Sequence, residues 1–248
     1  LDVLPKLAYH LDEPFSDASI IPAYYIACET KKIVTVALTG DGSDELFAGY
    51  EWFKALKLAS WYKQLPVSIR KGIYYLSRVI PDVDTREGML RYAHKIRRFA
   101  ETQLGDSGGI LESLLAMTSG FTEEFARNSL YMPRLSVAVS KIDLGSLRRA
   151  EVARYDGNDP LEAILFSQFQ SLLPDMFFTK VDRTSMAASL ETRAPFADYP
   201  LVEFVAQIPF DYKLRGFETK YSMRAALRGL LPDSILDRPK KGFTIPLH

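Results

Sequence analysis

Residues 33–50, IVTVALTGDGSDELFAGY, constrain this chain more than any other stretch. Ile33–Leu38 is a nearly unbroken apolar run rich in β-branched residues, which predicts a short strand buried on both faces. Thr39-Gly40-Asp41-Gly42-Ser43 turns the chain at once. Asp44-Glu45-Leu46-Phe47-Ala48 then opens a predicted helix that continues to about Leu65, with acids in its first turn where the macrodipole favours them. Strand, glycine turn and helix start form the place where open α/β sheets bind phosphorylated ligands. Gly40 and Gly42 permit positive φ and let a ligand approach the backbone closely. Asp41, Asp44 and Glu45 put three carboxylates in one turn. Beside a phosphate they require a cation between, and Mg²⁺ suits, because it takes one or two carboxylates and leaves its other positions to phosphate and water. An ordinary tight turn, with Asp44 as a helix cap and the other acids in water, fits the same residues; this segment alone does not choose.

The 248 residues suffice for one large domain or two small ones. Lys+Arg and Asp+Glu both number 31, so no net charge draws the chain to nucleic acid or to a membrane surface. A single cysteine, Cys28, excludes an internal disulfide and a cysteine metal cluster, and its neighbours Tyr25, Ile26 and Ala27 suggest a core position. His10, His94 and His248 have no metal-ligand spacing. No apolar run approaches ~20 residues, so the expectation is a cytoplasmic protein with no membrane or nucleic-acid partner. Leu1 at the start and an ordered-looking GFTIPL near the end suggest that both ends are cut.

Apart from Ile33–Leu38, the pattern is helical. Helices are expected over residues 2–11, 18–30, 68–79, 86–104, 111–117, 123–128, 198–207 and 219–230, with 132–145 ambiguous. Asp159-Pro160-Leu161-Glu162 is a strong helix start, leading to about Leu173. Pro174 should interrupt it before helix resumes through Lys180 to Leu190. A weak second strand is expected near Tyr212–Arg215. One doubly buried strand needs neighbours for its backbone hydrogen bonds, and the sequence lacks evident ones, so they are expected upstream of Leu1. The fold class is therefore α/β, mostly helical in this fragment.

Two further stretches carry chemistry. Residues 180–198, KVDRTSMAASLETRAPFAD, crowd Lys180, Asp182, Arg183, Glu191, Arg193 and Asp198 around small residues. That pattern suits a structural salt-bridge network or an anionic-substrate pocket. Arg238-Pro239-Lys240-Lys241-Gly242-Phe243 is a basic cluster held between Pro and Gly, either a surface loop or a clamp over phosphates. The basic face of helix 86–104 (Arg91, Lys95, Arg97, Arg98) reads as solvated. Ser107-Gly108-Gly109 imitates a phosphate loop, but no strand precedes it and the acid that should follow is displaced by one residue.

TGDGSDELFAGY, KVDRTSMAASLETRAPFAD and RPKKGFTIPL, in that order, resemble the synthetase domain of glutamine-hydrolysing asparagine synthetases and of the related β-lactam synthetases. The resemblance covers nearly the whole chain and is weakest from about Ser60 to Arg154. It implies an adenine nucleotide alpha-hydrolase-like (PP-loop ATP pyrophosphatase) fold, here residues 1–248 as its C-terminal portion, without the N-terminal strands. It implies a carbon–nitrogen ligase: ATP with Mg²⁺ activates aspartate as β-aspartyl-AMP, and glutamine-derived ammonia displaces AMP to give asparagine. By motif position, the backbone of Thr39 and Gly40 would meet AMP, with Gly42 in the same cofactor-binding turn. Asp44 would serve the metal and pyrophosphate, Asp41 the ammonia step, and Lys240 the phosphate under attack. Asp41 stands where some relatives carry Glu. The S-G-G-x-D-S loop and the glutaminase region would lie upstream, and a homodimer is compatible with the resemblance.

Two rival readings share these motifs: an amidotransferase acting on another carboxylate, such as a surface-polysaccharide or peptide precursor, and a helical scaffold without catalysis. The chain by itself is expected to make no amide. Incubating it with ATP, Mg²⁺, aspartate and ammonia should yield no AMP, and a single turnover would refute that.

Overall fold

The computed structural model describes residues 2–79, 99–100, 109–118, 129, 131–139, 142–143, 145–238 and 243. The chain divides into two compact units, one built from Leu1–Gly49 with Leu165–His248 and the other from Tyr50–Ile164.

The first unit begins with α1 (Leu4–Leu11), which buries Leu7 and Leu11 on one side. Asp12 ends it in the left-handed region, φ 65°, with its N–H donating to Ala8 O. The Asp17 carboxylate accepts the Ser19 N–H at 2.9 Å just before α2 (Ile20–Lys31). Leu7, Leu11 and Ile20 form a core with Val3, Phe15, Ile21 and Tyr24 packed on it. Cys28 is only half-buried; on α2 it is Ala27 that faces inward.

Strand β1 is Val36–Leu38, shorter than the apolar run predicts, because Ile33 and Val34 still donate to Thr30 O at the end of α2. It pairs in parallel with β2 (Glu191–Arg193), in the register Val36↔Glu191, Ala37↔Thr192 and Leu38↔Arg193. Burial on both faces does not hold here: Val36 is 41% and Leu38 74% exposed. Among the described residues β2 is the strand beside β1, so little covers its faces.

The long helix expected from Asp44 is broken in two. α3 (Ser43–Leu46) is a single turn. Ala48 then turns left-handed at φ 51°, fully buried, and a separate helix, Glu51–Tyr62, belongs to the second unit.

A π-helical stretch, Gln168–Phe178, contains Pro174 and runs directly into α4 (Thr179–Met186). The wider π turn moves the preceding carbonyls away from the proline ring, so the expected interruption does not occur. After β2 come a 3₁₀ turn (Pro195–Ala197), α5 (Tyr199–Ala206) and α6 (Phe210–Lys213). β3 (Leu214–Arg215) pairs antiparallel with β4 (Glu218–Thr219), which places the weak second strand where expected but leaves it outside the β1–β2 pair. α7 (Tyr221–Leu227) and α8 (Asp233–Leu236) follow. Leu46, Phe47 and Val205 form a second core with Phe169, Phe196, Leu201, Val202, Ile208 and Met223 around it.

In the second unit, Phe53, Leu56, Ala59 and Tyr62 are buried along one side of Glu51–Tyr62, which packs against the helix Ile110–Thr118. Helices Val67–Ser77, Pro133–Val139 and Ser146–Val152 belong to it too. Arg149 pairs with Glu112 at 2.9 Å and Asp143 at 2.8 Å. Asp159 caps Pro160–Ser167 as its sequence predicts, accepting the Leu161 N–H at 2.8 Å. Burial, with the hydrogen bond to Glu162, pushes the Tyr155 hydroxyl up to about 12. The expected helices 86–104 and 123–128 fall largely or wholly outside the described residues. No helix among the described residues is long and apolar enough to cross a membrane.

The charged 180–198 stretch does not form a buried network. Asp182 and Arg183 are exposed, and Arg193–Glu191 is a surface pair of little energetic weight. Lys180 is buried, and its partners lie elsewhere: Asp17 Oδ2 at 2.8 Å, Ser19 Oγ at 2.9 Å and the Phe177 ring at 5.0 Å. Burial pushes the Asp17 carboxyl up. Hydrogen bonds from Lys180 and from the Ser19 backbone and hydroxyl, together with the lysine charge, outweigh burial and hold it below its ordinary value. A depressed carboxyl stabilises the fold above the unfolded-state pKa, and that contribution disappears as pH falls through the folded-state value. D17N should therefore melt lower than wild type at neutral pH. The gap should close below the ordinary aspartate value of about 3.9. K180M should cost about 3 kcal/mol, the low end for breaking a buried pair, since Asp17 keeps some contact with water. Urea unfolding across pH measures both, and a wild-type/D17N gap that acid does not narrow would refute the assignment.

Candidate functional site

The acidic turn starts where the parallel pair ends. Thr39 N–H donates to Arg193 O at 2.8 Å, extending the ladder one residue past β1 and fixing where the chain departs. Gly40 is exposed, with nothing within 4 Å of the place a Cβ would take, and its φ is not left-handed. It is the open part of the turn. Gly42 is different: it is buried, has φ 93°, and a Cβ there would stand 3.4 Å from Phe196 Cβ. Its glycine requirement therefore comes from backbone conformation and packing within the protein. Asp41 lies between them, partly exposed.

Asp44 and Glu45 occupy α3, but a single turn carries little macrodipole, so the electrostatics come from side chains. Glu45 is buried, 3% exposed. Lys220 Nζ stands 2.9 Å from Asp44 Oδ1 and donates to Ser43 Oγ at 2.8 Å. Lys220 N–H donates to Phe47 O at 3.1 Å, so both backbone and side chain of Lys220 hold the turn. Lys220 is left-handed, φ 54°, at the cap of α7. Gly49 closes the arrangement. Its N–H donates to Asp44 O at 2.9 Å, and a Cβ on it would overlap Asp44 Oδ1 and Lys220 Cε.

The structure thus brings together Thr39, Gly40, Asp41, Gly42 and Asp44. Lys240, and with it most of the RPKKGF cluster, lies outside the described residues. Sequence reasoning missed Lys220 and Gly49. A glycine six residues after a strand-turn motif, in Phe47-Ala48-Gly49, could have signalled the end of a helical turn. Nothing local to Lys220 points to Ser43 or Asp44.

The donor set bears on the metal. Asp44 offers a hard, solvent-shielded carboxylate oxygen already facing a cationic group. Among the described residues, no three His, Cys, Asp or Glu side chains converge on one point. A single hard carboxylate oxygen of this kind is a donor that fits Mg²⁺, which takes one or two carboxylates and leaves its other positions to phosphate and water. Two surface depressions, one lined by Lys31–Val36 and one by Asp211, Tyr212, Arg215 and Gly216, contain no residue of the turn.

These features define an α/β protein with a carboxylate-bearing turn at the end of a parallel strand. The sequence model of the asparagine synthase family matches residues 1–248, and the chain belongs to that family. It is 29% identical over its whole length to asparagine synthetase [glutamine-hydrolyzing] 1 of Bacillus subtilis, covering 36% of that protein. It is 27% identical to a putative asparagine synthetase [glutamine-hydrolyzing] of Mycobacterium bovis, over 99% of this chain and 35% of the relative. A Penicillium rubens protein named amidase chyE is 28% identical over 86% of this chain. The chain spans about a third of the length of these relatives. No solved structure matches it significantly.

Gly40, which is open, and Gly49, which is buried, make opposite predictions. G40A should change stability by less than about 0.5 kcal/mol, as surface substitutions do. G49A should destabilise by about 2 kcal/mol, because the added methyl must displace the Asp44–Lys220 pair. Thermal melts of the two variants beside wild type check this, and equal melting temperatures would contradict it.

Proposed function

We propose that this chain is the part of a glutamine-dependent asparagine synthetase that carries the acidic turn of its ATP site, within a PP-loop ATP pyrophosphatase-type fold working in the cytoplasm. The observation that carries this reading is the Asp44 carboxylate, fixed beside the end of β1 by Lys220 and Gly49. The exposed apolar β1, with Leu38 74% exposed, supports further strands of the whole protein covering it.

In the reaction, an oxygen of the aspartate β-carboxylate attacks the α-phosphorus of ATP. The bond to pyrophosphate breaks and β-aspartyl-AMP forms. Ammonia then attacks the acyl carbon, the bond to AMP breaks, and the nitrogen loses a proton. Mg²⁺, when bound, would neutralise charge developing on the departing pyrophosphate. Asp44 would hold that cation. The Thr39 N–H is already committed to Arg193 O, so Thr39 would meet AMP through its carbonyl, and Gly40 would offer its uncovered backbone. Asp41, partly exposed in the same turn, would take the proton from the attacking nitrogen as a general base. Lys240 would stabilise charge on the phosphate under attack, the kind of contribution that dominates such barriers.

A second reading, with a carboxylate other than aspartate as acceptor, is favoured by the similarity to the amidase-named fungal protein over most of the chain. Pyrophosphate release by the full-length protein with ATP, Mg²⁺ and aspartate, with and without glutamine, separates the two. Release should require aspartate and fall by about 100-fold or more in D44A, the order for losing one electrostatic stabiliser. D41N should retain more pyrophosphate release than amide formation. Release with another acid and none with aspartate would move the assignment to the second reading, and no release with any acid would overturn both.

A further inference from the structure

Lys220 enters the reading above only as the group that fixes Asp44, with no part in the reaction itself. Its ammonium lies 2.9 Å from Asp44 Oδ1 and 2.8 Å from Ser43 Oγ. Its side chain and that of Asp44 are 21% and 24% exposed, so the pair is largely shielded from water. The lysine is also placed deliberately. Its backbone adopts the left-handed region, φ 54°, which costs any residue with a Cβ, and its N–H is tied to Phe47 O. Gly49 leaves the space in which the two side chains meet.

A divalent cation bound at the same carboxylate oxygen would sit against this ammonium. Two like charges on one oxygen repel, so the lysine must yield its position when the metal arrives. Its flexible four-carbon stem and three donors allow it to turn to another acceptor. The acceptor that arrives with the metal is a phosphate oxygen of the pyrophosphate group.

We propose that Lys220 is a positioning residue: it holds Asp44 ready while the cation is absent, and passes to a pyrophosphate oxygen when metal and pyrophosphate bind together. This rests on the assignment of Asp44 to the metal. It requires Lys220 to oppose the metal alone and to favour the metal–pyrophosphate complex. A purely structural lysine has no reason to act with opposite sign on the two ligands.

The test uses the full-length protein and Mn²⁺, followed by electron paramagnetic resonance, with and without inorganic pyrophosphate. K220M should bind Mn²⁺ alone about fivefold more tightly and Mn²⁺–pyrophosphate about tenfold more weakly, within the usual range of coupling between sites. K220R, which keeps the charge, should stay near wild type for Mn²⁺ alone. Its melting temperature, with that of K220M, shows that both variants are folded. D44N should abolish the Mn²⁺ signal that these variants modulate. If K220M moves both affinities in one direction, or neither, while D44N abolishes binding, Lys220 is only structural and the role of Asp44 stands. If D44N leaves Mn²⁺ binding intact, the assignment of Asp44 fails, and this proposal with it.

Discussion

The parallel pairing of Val36–Leu38 with Glu191–Arg193 is the constraint on which the site depends. It is bracketed by two further backbone bonds, Glu191 N–H to Thr35 O at 3.1 Å and Thr39 N–H to Arg193 O at 2.8 Å. Three residues of parallel ladder are marginal by themselves. The pair persists because each strand is tied to a packed body. α4, just before β2, packs against α2, just before β1, and Lys180 pins the start of α4 to Asp17 and Ser19. On the far side, Phe196 follows β2 and packs beneath Gly42 and against Phe47. The acidic turn therefore inherits its position from contacts on both sides of a very small sheet.

The same architecture explains which residues could be read in advance. The strand, the turn and the acids after it are contiguous, and their chemistry shows in sequence order. The Asp159 cap is equally local, and it forms as its residues dictate. β2 was hidden because Glu191-Thr192-Arg193 has no apolar period; its strand character comes from pairing with β1 alone. The long helix expected from Asp44 fails for a related reason. Leu46, Phe47 and Ala48 suit a helix, but Leu46 and Phe47 are claimed by the Val205 core, and Ala48 turns left-handed to bury them. Tertiary packing overrides propensity there.

The polar contacts divide in the same way. Charges close in sequence suggested a network within residues 180–198, and the one buried cation of that stretch found its anion at Asp17 instead. Spacing reveals pairs on one helix face; it cannot reveal a pair joined only by folding. Lys220 is the more consequential example. It precedes an unremarkable helix and no motif marks it, yet it contacts Ser43, Asp44 and Phe47.

An acid in the role proposed for Asp44 presents a problem while the cation is absent. Left in water it samples several rotamers, and ordering it costs side-chain entropy when the ligand arrives. Buried without a partner it would become neutral. A lysine on a flexible stem eases both difficulties, because it gives the carboxylate a charged partner that orients it and, in the role proposed for Lys220, can still be displaced. Anchoring that lysine through its own N–H to Phe47 O, and clearing space for it with Gly49, makes the arrangement part of the fold. The segment that ends in Lys220 is thereby coupled to the turn that begins at Thr39. Lys220, the residue that directly follows β4, carries that coupling through its contacts with Ser43, Asp44 and Phe47.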